Sequence, residues 1–517
     1  MRIINTADLS PDRALSRNET DWVYNGLDCC VTYEIRDVLR EQLDNVSAAT
    51  YQFSRELQAP ILEMSTRGLL VNNKRRGEVL AKMQREIGIL SEQLTQIVHE
   101  GIGFPAVNKL EAGKMKMWWR SPAQLKTLLY DVMGLPVQRK RNAKGLMAPS
   151  TNREALEKLD AYFLAIPVVQ HLLALRDLDK KRAWLETEID PDNRMRSNFN
   201  IAGTNTGRLA SSLSDFGTGG NLQNIDRDLR SVFIADPGMK FANLDLEQAD
   251  SRNLGALCWE RFIETRGENF AGAYLNLCES GDLHTQVSRM ARPQLDWTDD
   301  PKANRAIADT IYYRNFSYRD LDKRLGHGSN YLGSPRTMAK HAKVPVREVE
   351  DFQRNYFGAL PCIPAYHSYV RSEIKEFAQL TTLFGRRRFF FGRATDDATI
   401  REAVAYCPQS MTADEINTGM LRIWRANRIQ LLVQVHDSIL FQYPEELEDI
   451  ILPWALETLR VPLTLSRGRE FVVPTEAKVG WNWGDKSETN PDGLIKWKGG
   501  DDRKRVDLDW KLSIRGL

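Results

Sequence analysis

Apolar positions recur at helical spacing near the N-terminus. Val23, Leu27, Val31, Ile35 and Val38 fall three or four residues apart and predict a helix over residues 20–46. Two more helical patterns occupy residues 51–100, broken at Arg67-Gly68 and Asn72-Asn73. Residues 101–150 lose that period and turn basic, with the run Arg139-Lys140-Arg141 among scattered glycines and prolines. Ser150-Thr151-Asn152 ahead of Glu154 reads as a helix start, a capping side chain before an acidic first turn. The period then changes. FANLDLEQADSRNLGALC joins a short apolar strand to a helix with Asp245 at the join, and IQLLVQVHDSILFQYP predicts two apolar strands flanking His436-Asp437-Ser438. Residues 300–345 and 400–425 are mostly helical in pattern. A long helical insertion between strands of one sheet predicts an α+β core with a helical subdomain.

Composition narrows the class. The 517 residues, 42% hydrophobic and 27% charged, describe an ordinary globular chain able to bury large cores. Lys and Arg number 71 against 69 Asp and Glu, so any basic surface must come from local arrangement. Six cysteines form no C-x-x-C pair, which argues against a zinc ribbon or a disulfide scaffold and suits a reducing cytoplasm. The first residues carry no apolar run, so no signal peptide is expected. The most apolar stretch, YFLAIPVVQHLLAL, is 14 residues long and holds Pro167, Gln170 and His171, so no membrane span is expected.

Three segments carry candidate chemistry. Asp245 ends one strand and Asp437 occupies a tight turn between two others; a sheet can bring such residues together. Two carboxylates converging from strand ends, with few His or Cys nearby, suit hard cations such as Mg²⁺. Taken singly, each also reads as an ordinary loop or cap residue. In YRDLDKRLGHGSNYLGS, Arg319, Lys323, His327 and Tyr331 are four residues apart and form a slanting helical stripe. Two cations followed by two rings fit a nucleotide, charges to the triphosphate and rings to the base. Gly326, Gly328 and Gly333 weaken that helix, which makes sense if a nucleotide or template strand approaches the backbone closely. The other reading is a solvated charged face. The third segment, GTNTGRLASSLSDFGTGGNLQNIDRDLRSVF, spaces Arg208, Gln223 and Arg230 among small polar residues. Such side chains can bond sugars, phosphates and minor-groove base edges, or simply line a polar surface loop.

In this order the segments resemble family A DNA polymerases, the group of bacterial DNA polymerase I and many phage replicases. T-x-T-G-R-L-x-S-S…N-L-Q-N-I matches Thr204 to Ile225. D-x-x-Q-x-E-x-R resembles Asp245 to Arg252. R-x3-K-x7-Y matches Arg319, Lys323 and Tyr331. V-H-D-E resembles Val435 to Ser438. Weaker echoes are Ser121-Pro122…Asn152 for the thumb, Gly281-Asp-Leu-His284 before the fingers helix, Arg401 and Gln409, and Trp481-Asn482-Trp483. The resemblance implies a right-hand fold with antiparallel palm sheet, helical fingers and helical thumb. It further implies dNTP addition to a primer 3′-OH with two Mg²⁺ held by Asp245, Asp437 and the Leu246 carbonyl. Arg319 and Lys323 would grip the triphosphate, with Lys323 able to protonate the leaving pyrophosphate. His327, Tyr331, Gln248, Asp250 and His284 would complete the nucleotide site. Arg208, Asn221, Gln223, Arg230, Arg401, Gln409 and His436 would contact primer-template DNA.

The implied domains are an exonuclease remnant at 1–50, a thumb at 51–182, palm at 183–260 and 416–486, fingers at 261–415 and a C-terminal appendage at 487–517. Tyr24 and Asp28 resemble the last motif of the family's 3′–5′ exonuclease, whose other acidic motifs have no room before them. Tyr24 and Asp28 therefore read as part of a structural helix, the proofreading domain is expected to be lost or encoded on a separate chain, and the whole is expected to be a compact phage-type replicase acting in the host cytoplasm. Four departures qualify the resemblance. Asp250 stands where the family's steric gate is usually Glu, leaving more room for a 2′-OH. His327 replaces an aromatic Phe or Tyr. Ser438 replaces an acidic residue, as in single-subunit RNA polymerases. Ser212 and Asn221 are further apart than usual, which implies an added loop. Two rivals follow: an RNA-synthesising relative, and an inactive nucleic-acid-binding subunit.

Overall fold

Near-continuous apolar runs need cover on both faces, and the central strands obtain it. In the computed structural model, which describes residues 16–499 except 112, 113, 143 and 314, five strands form one antiparallel sheet. They are β1 (Met239–Leu246), β2 (Gln430–Val435), β3 (Ser438–Pro444), β4 (Thr475–Gly480) and β5 (Ile495–Lys496), in the order β2-β3-β1-β4-β5. Every residue of β2 and all but the last of β3 are buried. The register sets Asp245 opposite Ser438 on one side and Glu476 on the other. Val479 pairs with Ile495, so the sheet extends past residue 486 into the segment expected as an appendage. Residues 500–517 of that segment lie outside the described residues, as do residues 1–15 of the expected exonuclease remnant.

The helix expected over 20–46 arrives as two. α1 (Arg17–Glu41) stops, and Asp44 reopens the chain as the N-cap of α2 (Asn45–Glu56), accepting the Ser47 amide at 2.7 Å. No residue of α1 is buried, and Trp22 and Tyr24 are 69% and 63% exposed. After α3 (Gln58–Arg67), Asn72 caps α4 (Asn73–Gln96). α4 packs with α5 (Ile166–Leu185) around a core of its own. There Trp118 and Trp119 are buried, and their indole N–H groups donate to Thr95 Oγ1 (2.9 Å) and Ser91 Oγ (3.1 Å). The apolar stretch 162–175 buries Val168, Val169, Leu172 and Leu175 in this core. No helix among the described residues is long and apolar enough to cross a membrane.

The other helices named here are α6 (Ala249–Arg266), α7 (Leu283–Ala291), α8 (Tyr318–Asn330), α9 (Val346–Ala359) and α10 (Asp397–Arg425). A buried cation ties three of them. Arg292, just past α7, donates from Nη2 to Asp322 of α8 at 2.8 Å and from Nη1 to Glu348 of α9 at 2.6 Å. Its guanidinium lies over the rings of Tyr312 and Tyr318, 4.6 and 4.9 Å from their centroids. The glycines of α8 and of the turn after it divide in purpose. A Cβ at Gly328 would lie 2.9 Å from Met338 Cε, and one at Gly333 would lie 2.6 Å from its Sδ. These two admit a neighbouring helix (Pro335–Ala342) rather than a nucleotide, contrary to the expectation above, whereas Gly326 lines the cavity described next.

Removing one partner of a buried ion pair strands the other. Asp322→Ala should therefore destabilise the protein by about 3–5 kcal/mol in denaturant unfolding. A loss below about 1 kcal/mol would show that Arg292 finds equivalent partners without it.

Candidate active site

Two backbone distortions frame the aspartates. His436 (φ 56°) makes the turn from β2 into β3, and Gln248 (φ 56°) turns the chain from β1 into α6. Both are non-glycine residues in the left-handed region, a strain that concentrates at functional sites. Between them the Leu246 amide donates to the Asp437 carbonyl at 3.1 Å and locks the two strand ends together. Asp245 and Asp437 thus line one cavity of about 310 Å³, together with Leu246, Gln248, Asp250 and, from the opposite wall, His284, Lys323 and His327. A second cavity of about 250 Å³ shares the two aspartates and adds Arg230, His436, Glu476 and Lys478.

The electrostatics follow from this closeness. Burial, then the Asp437 carboxylate, pushes the Asp245 carboxyl up to about 7. Asp437 is pushed up too, by burial first, against a backbone hydrogen bond and with Asp250 adding its charge. His284 moves the other way: burial, then the cations of Lys323 and Arg319, lower it to about 4. Asp282 lies well below the usual range. Burial opposes this, but hydrogen bonds from Arg319 and Thr285 prevail.

The helical stripe survives only in its middle. Lys323 and His327 are exposed to the cavity. Arg319 is turned to Asp282, donating from Nη2 at 2.8 Å, so its guanidinium is engaged inside the protein. The helix ends at Asn330, whose side chain donates to the Tyr274 hydroxyl (2.8 Å) and accepts from that of Tyr356 (2.9 Å). Tyr331 then turns inward, its ring edge-on to His327 at 5.0 Å. Its phenol is raised by burial and by the adjacent Asp250.

Arg208 Nη2 donates to Asp250 at 3.2 Å. Gln223 is buried and donates to the Gln434 carbonyl at 3.0 Å. Asn221 braces the hairpin formed by Ser197–Asn200 and Ala210–Leu213, donating to the Ser211 carbonyl at 2.7 Å. Arg230 lies over the Trp483 ring, 4.5 Å from its centroid. Arg401 is exposed and Gln409 half-buried on α10, two turns apart on one face. Ser438 spends its hydroxyl inside the turn, donating to the Val435 carbonyl at 3.0 Å.

The DNA polymerase family A profile matches residues 105–485, about three quarters of the chain. The chain belongs to DNA polymerase family A. It is 27% identical over 379 residues to thermostable DNA polymerase I of Thermus aquaticus, covering 69% of this chain and 40% of that protein. Against DNA polymerase I of Synechocystis it is 25% identical over 506 residues, 90% of this chain and 45% of the other. The chain thus spans less than half the length of these curated relatives. The POL domain of Pol1 from M. smegmatis, solved with DNA primer-template and dNTP, shares the fold. Its TM-score is 0.66 at 22% identity, covering 88% of this chain and 74% of that one. The right-hand polymerase architecture expected from the motifs is therefore the architecture of this family A member.

The sequence assigned no role to Asp282, although it falls within the Gly281–His284 echo, nor to Thr412, Asn253 and Glu415. Asp282 carries a local signal, since it caps α7 by accepting the Thr285 amide. The other three offer none, because polar residues inside a helical pattern read as solvent-facing while these are buried.

His284 gives a direct check on the cavity wall. Its imidazole should stay neutral in NMR titrations until about pH 4, and Lys323→Ala should move the midpoint towards the ordinary 6.5. Because the unfolded chain takes up that proton first, stability should fall on acidification from pH 6.5 to about 4. A midpoint near 6.5 in the unaltered protein would contradict this arrangement.

Proposed function

We propose that this chain adds dNTPs to a primer 3′-OH under the direction of a template strand. The observation that carries the reading is the meeting of Asp245 and Asp437 in one cavity facing Lys323. The donor chemistry fits two Mg²⁺ ions. Both side chains are hard oxygen donors, the Leu246 carbonyl adds a third, and the burial of both carboxyls with Asp437 charged beside Asp245 is what a divalent cation relieves. Among the described residues no cluster of three or more His, Cys, Asp or Glu could hold a metal, so substrate oxygens and water would complete the coordination. When bound, the ions would favour the 3′-alkoxide and offset the charge of the leaving pyrophosphate.

The primer 3′-hydroxyl gives up its proton to water as its oxygen attacks the α-phosphorus, the bond to the bridging oxygen breaks, and pyrophosphate leaves. Lys323 Nζ holds the triphosphate and supplies a proton to the departing group. Arg319 joins it by exchanging the Asp282 carboxylate for a phosphate, one charge-assisted pair for another. Neutral His284 offers the phosphates a hydrogen bond. His327 and Tyr331 line the base and sugar, with Gln248 and Asp250 beneath the sugar. Arg208, Asn221, Gln223, Arg230, Arg401, Gln409 and His436 serve the primer-template duplex. A separate chain bearing a 3′–5′ exonuclease is the proposed partner for α1, whose exposed Trp22 and Tyr24 await cover. The free cysteines suit a cytoplasmic setting.

A second reading, RNA synthesis, draws on the short Asp250. Primer extension with each nucleotide class separates the two. Extension should require a primer and dNTPs, and unprimed synthesis preferring rNTPs would overturn the choice. Asp437→Ala should abolish extension while DNA binding, followed by fluorescence anisotropy, stays close to that of the unaltered protein. Undiminished extension by this variant would remove Asp437 from the chemistry.

A further inference from the structure

Asp250 is a short side chain held by an unusually complete set of partners, and the set continues away from the cavity. Thr412 of α10 donates from Oγ1 to Asp250 Oδ1 at 2.7 Å, while Arg208 Nη2 approaches the two carboxylate oxygens at 3.2 and 3.4 Å. Thr412 is itself buried. A hydroxyl has one proton to give, and the Pro408 carbonyl, 3.1 Å away, competes for it. That carbonyl lies one turn earlier in α10, where the helical ladder already supplies a donor. Asp250 wins as the nearer and charged acceptor, and Asn253, fully buried on α6, holds the hydroxyl oxygen from the other side. One N–H of its amide donates to Thr412 Oγ1 and the other to Glu415 Oε2, both at 3.1 Å. With its oxygen held by Asn253 and its proton on the nearer, charged acceptor, the Thr412 hydroxyl is directed to Asp250.

Glu415 anchors the far end. It is buried, and its Oε1 has no hydrogen-bond partner among the described residues. Burial raises this carboxyl to about 8, so at neutral pH it holds a proton, and Oε2 accepts from Asn253 without a second negative charge beside Asp250.

We propose that Thr412, oriented by Asn253 and Glu415, is a positioning residue that sets sugar selection by holding Asp250 in place. The inference rests on the reading above in which Asp250 lies beneath the sugar of the incoming nucleotide. A 2′-hydroxyl entering that space must displace the Asp250 carboxylate. The carboxylate can yield only by breaking its contacts to Thr412, to Arg208 or to the Tyr331 hydroxyl. The missing methylene is thus compensated by anchoring. A longer side chain excludes the hydroxyl by filling space, and this one excludes it by resisting displacement.

The test is single-nucleotide extension of a primed template, giving kcat/KM for matched dNTP and rNTP in the full chain and its variants. Thr412→Val keeps the volume and removes the donor. Its dNTP efficiency should hold while discrimination against rNTP falls by about tenfold or more, tenfold being the lower end for one hydrogen bond to a charged group. Thr412→Ser restores the donor and should restore the ratio. Asp250→Ala separates the layers of the argument. If it lowers discrimination and Thr412→Val does not, the positioning role is overturned and the gate stands. If Asp250→Ala leaves the ratio unchanged, both fall. A Thr412→Val variant that slows both nucleotides equally also overturns the proposal, since a merely structural role has that effect. Should Thr412→Val unfold early, Asn253→Ala leaves the hydroxyl present but unoriented and carries the same expectation.

Discussion

The pairing of β1 with β3 is the constraint on which the site depends. Side chains alternate across a strand, so a slip of one residue would send Asp245 to the opposite face of the sheet. Burial of β3 along almost its whole length forbids the slip, because it would break the packing on both faces at once. The same register sets Asp245 beside the turn that carries Asp437, and the Leu246 amide closes the join by bonding the Asp437 carbonyl. Stability of the core and position of the chemistry are one and the same arrangement here. The strain at His436 and Gln248 is tolerated because the packed sheet determines both ends of each turn.

Against that rigid base, the helical wall divides its charged groups between internal partners and the cavity. Asp282 engages Arg319 and lies near His284, while Lys323 and His327 face open space. The buried Arg292 cluster fixes where α8 can sit, and Asn330 fixes where it stops, so Tyr331 turns towards Asp250 instead of continuing the stripe. Held by the Asp282 carboxylate, Arg319 keeps a cation near the cavity without leaving it unpaired.

Much of this was legible in the residues. The strand ending at Asp245, the two strands around His436-Asp437-Ser438 and the helix opened by Asn152 all appear as read, since each depends on neighbours close in sequence. Other features were not. Gly328 and Gly333 looked like room for a ligand and proved to be room for Met338. The four-residue stripe gave the correct helix, but Arg319 and Tyr331 owe their directions to Asp282 and to the cap at Asn330. The break at residues 41–45 was hidden because apolar spacing runs on across the Asp44 cap.

The residues alone determined the period of each element, the places where turns and caps interrupt it, and the order of charged and aromatic groups that identifies the family. These are local properties, set by backbone sterics and by hydrogen bonds spanning a few positions. Tertiary structure decided which donor meets which acceptor. Whether Arg319 faces a phosphate or Asp282, and whether Thr412 faces solvent or Asp250, depends on elements that approach from distant parts of the chain. Their meeting is governed by the burial of whole faces, and no short window of sequence contains both sides of that contact.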